Sequence, residues 1–417
     1  MNSVKTGNLR KRSKAAAALC LFFLYALTAC GRVKTVSAGK PVMSALTGYE
    51  EPVAEEEKGS HSFDVRKFSE DRLAAGVTDE AVEELLGEQK GRFFYEHCDE
   101  SIKKIYAEIL LILNAHAEDI QVSAKDEDEI ATAFKCVFQD HPEIFWISGY
   151  SYCRYSTLGK EYYTFTGKYT HSEAECKSLK SRISSYITGF KQGIRSGMSD
   201  YEKEKYAYEY IAKHTEYDAE AEDNQSILSV FLHGKSVCQG YAKAFQYLLQ
   251  SVDVPCAMVV GEVYNGDGHA WNMVYLDGNY YHVDVTWGDS ALSQSGTPDK
   301  DDVNYAYLNV TSQEMALTRK EDNILALPYC VATEDNYYVK EKQLFSSIDH
   351  AKLVELFTKA SVRSENSVTL KCTSREAFDK IYTELVDEHG IDQYMPEGLS
   401  SYGITRDEGM LVMTFKF

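Results

Sequence analysis

Three residues far apart in the chain have the side-chain types for nucleophilic acyl chemistry: Cys238 in "HGKSVCQGYAKAFQYLLQ" (233–250), His269 in "GHAWNMVYLDG" and Asp284 in "NYYHVDVTWGD". A thiolate attacks a carbonyl carbon, an imidazole takes the thiol proton and passes it to the leaving group, and a carboxylate holds the imidazole in one tautomer. The gaps are 31 residues from Cys238 to His269 and 15 from His269 to Asp284, so only folding can bring the three together.

The elements that must position them are readable. Ser236 followed by Gln239 is a capping-box pattern, which predicts a helix starting near Ser236 with Ala242, Phe245, Leu248 and Leu249 on its buried stripe. Cys238 then falls in the first turn, where free N–H groups and the helix dipole favour an exposed thiolate. Gly240 is expected to leave space beside the sulfur, and Lys235 and Lys243 to add positive potential. Taken alone, Cys238 reads better as a small buried residue than as a nucleophile. The runs "HAWNMVYL" and "NYYHVDVTW" flank Asp277-Gly278, a strong two-residue hairpin signal. That register sets Leu276 opposite Asn279 and His269 opposite Thr286. Asp284, two residues from Thr286, becomes a diagonal neighbour of His269 on the same face.

With "YIAKHTEYD" upstream, these stretches resemble the transglutaminase-like superfamily, in particular a bacterial secreted branch related to microbial transglutaminase-like peptidases. The resemblance covers about residues 200 to 290, or to 345 at its widest. It implies an α+β fold with a papain-like core, in which a helix bearing Cys238 lies on an antiparallel sheet bearing His269 and Asp284. It also implies that Cys238 is the nucleophile, His269 the general base and acid, and Asp284 the orienting carboxylate.

Acyl transfer also needs oxyanion donors. The Cys238 backbone N–H is one candidate. Papain-like enzymes place a glutamine six residues before the cysteine, where this chain has Leu232. Gln239, Tyr217 and Gln225 are alternative donors. His282 shares a face with Asp284 in an ideal hairpin and reads as a supporting or core residue, and Trp271 and Trp287 as cleft walls. A Cys/His/His/Asp zinc site is the weaker alternative to the triad, so neither metal nor cofactor is expected. The implied reaction is acyl transfer through a cysteine thioester, hydrolysis being favoured over cross-linking because no amine-binding feature is visible. The alternative class is a non-catalytic surface module that binds peptide or glycan.

The rest of the chain sets the context. Its 417 residues carry a formal charge of −20, which argues against nucleic acid as a partner. Residues 1–29 run from a basic start into the uncharged "AAAALCLFFLYALTA", which reads as a signal peptide. The following "LTAC" resembles the bacterial lipobox, implying cleavage before Cys30, a lipid on its sulfur, and a mature chain of charge −25 tethered outside the cytoplasmic membrane. The expected partners are therefore the membrane, through that anchor, and a peptide or protein substrate of the envelope.

Residues 30–90 read as a flexible acidic tether, with a short helix in "TDEAVEELLGEQ". Residues 91–195 read as a small α+β unit, 196–348 as the domain with the triad, and 349–417 as a small C-terminal α/β unit ordered helix, strand, helix, strand. The remaining cysteines match neither a paired zinc pattern nor a disulfide scaffold and read mostly as packed thiols.

Overall fold

The computed structural model describes residues 25–27, 33–36, 52–57, 65–157, 160–264, 266–289, 303–395 and 402–417. Cys30 and all of the expected signal peptide except Tyr25–Leu27 lie outside the described residues. Among the described residues no helix is long and apolar enough to cross a membrane.

The fold is α+β, in three layers of organisation along the chain. In the first, helix Glu100–Asn114 buries Ile102, Ile105, Tyr106, Ile109 and Leu110 at the helical spacing visible in the sequence. It packs with Glu127–Asp140, which ends just before Pro142. The aromatic runs pair as the antiparallel hairpin Ile147–Thr157 and Lys160–Tyr169 inside a four-stranded sheet. Part of the segment expected to be a tether is built into this unit. Val65–Ala74 and Asp79–Glu88 are helices, and Val53–Glu57 adds a parallel strand to Ile147–Thr157. The reason is that a few apolar side chains, Phe68, Val77 and Val82, are buried while the many acids around them face out, and an acidic composition hides so sparse a stripe.

The second layer positions the candidate site. Helix Asp200–His214 opens with a full capping box between Ser199 and Glu202. The central helix, Cys238–Gln250, buries Ala242, Phe245, Leu248 and Leu249 as expected, but also Tyr241, Ala244 and Gln246. A helix covered on so many sides is an interior element and not an amphipathic surface one. It lies on a four-stranded antiparallel sheet in the order Asn279–Val283, Gly268–Leu276, Cys256–Val263, Arg319–Glu321. The hairpin turn is the expected two-residue one: Asp277 and Gly278 both have positive φ, 47° and 91°, and Leu276 pairs with Asn279. One continuous hydrophobic core runs from Val77 through this helix and sheet to Leu308, and Gln139 and Gln246 stitch the two layers with hydrogen bonds to Met258 O (3.2 Å) and Gln139 O (2.8 Å).

The C-terminal layer has its own core around Leu353, Phe357, Leu370, Phe378 and Phe415. Its helices His350–Val362 and Arg375–Tyr382 contact a mixed sheet that contains Ser367–Cys372, Tyr402–Asp407 and Val412–Lys416. The tip of its last hairpin is not autonomous. Met410 and Val412 join Trp271, Trp287 and Tyr307 in a third cluster beneath the candidate site.

Candidate active site

Pairing in the hairpin runs from the turn to Asn272–Val283 and stops. The chain then bends into the short 3-10 turn Thr286–Gly288, so the expected His269–Thr286 pair does not form. The bend leaves the strand at Gly268–Trp271 without a partner on the Asn279–Val283 side, and the backbone N–H groups of Ala270 and Gln239 act on the Cys238 sulfur in favour of its thiolate. The helix packs on the face of the strand that carries Ala270 and Val274, and Asn272 Nδ2 donates to Ala242 O at 3.0 Å. His269 and Trp271 belong to the opposite face. The helix and the imidazole therefore lie on opposite faces of the strand, and not on a shared face as the hairpin pattern suggested.

His269 and Asp284 are joined directly, Nε2 to Oδ2 at 2.7 Å, with both side chains buried. Nδ1 of the ring is buried and, among the described residues, makes no hydrogen bond to the thiol or to any other group. The carboxylate occupies Nε2, and the nitrogen left over belongs to the residue next to the N–H that holds the sulfur. Burial would raise the Asp284 carboxyl, but the charges of Arg319 and His269 outweigh it and hold it below the usual carboxylate range. Arg319 Nη2 donates to the same Oδ2, and its guanidinium lies 4.5 Å from the Tyr307 ring and 5.4 Å from that of Trp287.

Residues 188–285 match the model of the Transglutaminase-like superfamily. This segment is a transglutaminase-like domain. A stretch of 127 residues is 30% identical to the kyphoscoliosis peptidase of Mus musculus, covering 27% of this chain and 19% of that protein. The Homo sapiens protein of the same name is 31% identical over 111 residues, covering 23% of this chain and 17% of its own length. The chain thus spans about a fifth of the curated relatives it matches. Among solved structures, the crystal structure of a TGase is 18% identical, covers 37% of this chain and 47% of its own, and superposes with a TM-score of 0.26.

Several expectations about the transglutaminase-like domain need correction. Cys238 is completely buried, and burial, with the Asp284 charge adding to it, pushes its thiol up to about 12 despite the N–H groups that favour the thiolate. Desolvation outweighs the helix start. The helix begins at Cys238 with Val237 as an N-cap that makes no side-chain bond. Ser236 cannot cap it, because its hydroxyl is bonded to Ser229 Oγ (2.7 Å) and Asn224 O (3.0 Å) and its backbone pairs with Tyr217. Gly240 does not make room for the sulfur. A Cβ there would stand 2.0 Å from Ser236 Oγ and 2.7 Å from Asn224 O, so the glycine admits that loop. Lys235 pairs with Asp218 (3.0 Å) at the surface, and Lys243 is buried over the Phe138 ring, so neither supplies the site with charge.

The other candidates divide. Gln239 directs its side chain away, donating Nε2 to Gln225 O (3.0 Å), and Gln225 contributes that carbonyl. Tyr217 stays close: its hydroxyl is buried and unpartnered, and burial, then the charges of Cys238, Asp267 and Asp284, raise its pKa. His282 is remote from the sulfur's hydrogen bonds. Its Nδ1 accepts from Trp271 Nε1 (3.2 Å), which leaves the proton on Nε2 facing Ser312 Oγ (3.0 Å) and Glu321 Oε1 (3.2 Å). Trp271, anchored this way, stacks on the His269 ring at 6.0 Å. Both tryptophans are buried and act as props for the imidazole and for Arg319 in place of open cleft walls. Arg319 itself is absent from the sequence reading. It lies 35 residues beyond Asp284, and only the three-residue edge strand Arg319–Glu321 brings it in.

Proposed function

We propose that this chain is a cell-surface acyl-transfer enzyme, exported and held to the membrane by a lipid on Cys30, with Cys238 as nucleophile, His269 as general base and acid, and Asp284 as its orienting carboxylate. The observation that carries the reading is the His269 Nε2–Asp284 Oδ2 bond (2.7 Å), which leaves Nδ1 without a partner in the residue next to Ala270, whose backbone N–H favours the Cys238 thiolate. The thiol proton passes to Nδ1 as Sγ bonds to the carbonyl carbon of a peptide or glutamine amide. The C–N bond then breaks, the imidazolium returns the proton to the departing amine, and a thioester remains on Cys238. Water attacks the thioester to release the acid and restore the thiol. The negative oxygen formed in each step is held by the Cys238 backbone N–H and the unpartnered hydroxyl of Tyr217.

The burial of Cys238 and its thiol at about 12 favour a second reading, a non-catalytic surface module that binds peptide or glycan. Intact-mass analysis separates the two. The mature chain incubated with envelope-derived peptides gains a covalent acyl mass on Cys238 that Cys238→Ala and His269→Ala abolish. Peptide binding with no adduct on any cysteine establishes the binding module.

A further inference from the structure

A pocket of about 260 Å³ lies between the Cys238 helix and the N-terminal unit. Gln239 and Lys243, one turn apart on that helix, line one side, and Phe138, Ile144, Phe145 and Ile147 form an apolar opposite side. Lys243 is only 2% exposed. Its ammonium sits 3.4 Å from the Phe138 ring centre, and among the described residues it has neither an ion pair nor a hydrogen bond. The acid whose charge acts on it is Glu143, whose Oε1 is bonded to His141 (2.8 Å) and Arg92 (3.4 Å) and whose buried Oε2 makes no hydrogen bond among the described residues. Desolvation lowers the Lys243 amine to about 7, against the pull of Glu143. A buried lysine with no bonded counter-ion costs the fold stability, and here it lines a pocket whose opposite side is apolar.

We propose that this pocket binds a small carboxylate bearing an apolar side group, with the carboxylate on Lys243 and the side group against Phe138, Ile144, Phe145 and Ile147. A free apolar amino acid and the C-terminal residue of a peptide share that chemistry. A phosphate-bearing ligand fits less well, because Lys243 is the single cation in the lining and Asp223 stands in the same lining. The pocket is distinct from the thiol site, since Cys238 meets the sheet while Gln239 and Lys243 face the N-terminal unit, and its occupancy does not depend on acyl chemistry.

The test uses the full mature chain carrying Cys238→Ala, so that no turnover interferes. Calorimetry is run with leucine, N-acetylleucine and leucinamide. One or both acids bind, which identifies the source as free amino acid or peptide end, and leucinamide binds at least ~10-fold more weakly because it lacks the charge that Lys243 pairs with. Lys243→Met removes acid binding while keeping the apolar stem, and a thermal melt equal to or above that of the parent shows it folded. Ser148→Trp, at an exposed lining position, blocks the mouth without touching the core and also removes binding. Equal binding of leucinamide, unchanged binding in Lys243→Met, or no binding of any of the three at millimolar concentration overturns the proposal and leaves Lys243 as a lysine sustained by a ring face alone.

Discussion

His269 and Arg319 bind the same carboxylate oxygen, Oδ2 of Asp284. The guanidinium is always charged, so the aspartate stays ionised in a fully buried position and can steady an imidazolium when one forms. Asp284→Asn should lower the rate of Cys238 acylation by on the order of 10²–10⁴, read from the growth of the adduct mass.

Arg319→Met should act through Asp284. With Arg319 gone, desolvation is opposed by His269 alone and the carboxyl titrates at higher pH. Because the folded carboxyl lies below its unfolded value, its stabilisation is present above the unfolded pKa and lost as pH falls through the folded one. Raising the folded carboxyl towards its unfolded value shrinks this pH-dependent part, so the variant's stability should fall less steeply than the parent's on acidification. Its neutral-pH stability should fall by ~3–5 kcal/mol, the cost of breaking a buried pair. Urea titrations from pH 3 to 7 measure both.

The closed thiol predicts its own kinetics. With Cys238 fully buried and its thiol at about 12, iodoacetamide should modify the partly exposed Cys153 first. The rate at Cys238 should level off as reagent rises, because local opening becomes limiting. Peptide mapping against time reads the order. A linear, fast reaction at Cys238 would show that the site opens freely in solution.

Tyr217→Phe removes a buried hydroxyl that has no partner in the resting protein. Stability should hold or rise by ~1 kcal/mol, whereas acylation should slow by ~10²–10³ if the hydroxyl supports the oxyanion. Stability gained with the rate unchanged would remove Tyr217 from the mechanism.

Glu204 is wholly buried, and burial raises its carboxyl to about 8 despite a 2.6 Å hydrogen bond from Asn309 Nδ2. The native state then keeps a proton that the unfolded chain releases near 4.5, so stability falls as pH rises from that value through about 8. Glu204→Gln should flatten this slope and gain on the order of 2–4 kcal/mol at pH 9 relative to the parent, measured by urea unfolding at pH 6 and pH 9.

Much of the site could be read from local pattern. A two-residue turn admits one register, and it holds from Leu276–Asn279 to Asn272–Val283. The stripe of the central helix was equally plain, because burial of Ala242, Phe245, Leu248 and Leu249 follows from a 3.6-residue repeat. Ser236 misled for a physical reason. A hydroxyl three residues before an amide is a cap only if nothing else claims it, and here Ser229 and Asn224, brought in by a loop, do.

By itself, then, the sequence determined the residue types able to do the chemistry, the two-residue turn that sets the hairpin register, and the buried stripe of the helix that carries the thiol. These are short-range consequences of backbone geometry and side-chain periodicity. Only the tertiary structure decided that strand pairing stops at Val283, that Arg319 arrives from 35 residues beyond Asp284 to hold its charge, and that the thiol is closed off and pushed up to about 12. Desolvation and long-range charge pairing depend on everything that surrounds a group in space, and no run of neighbouring residues encodes them.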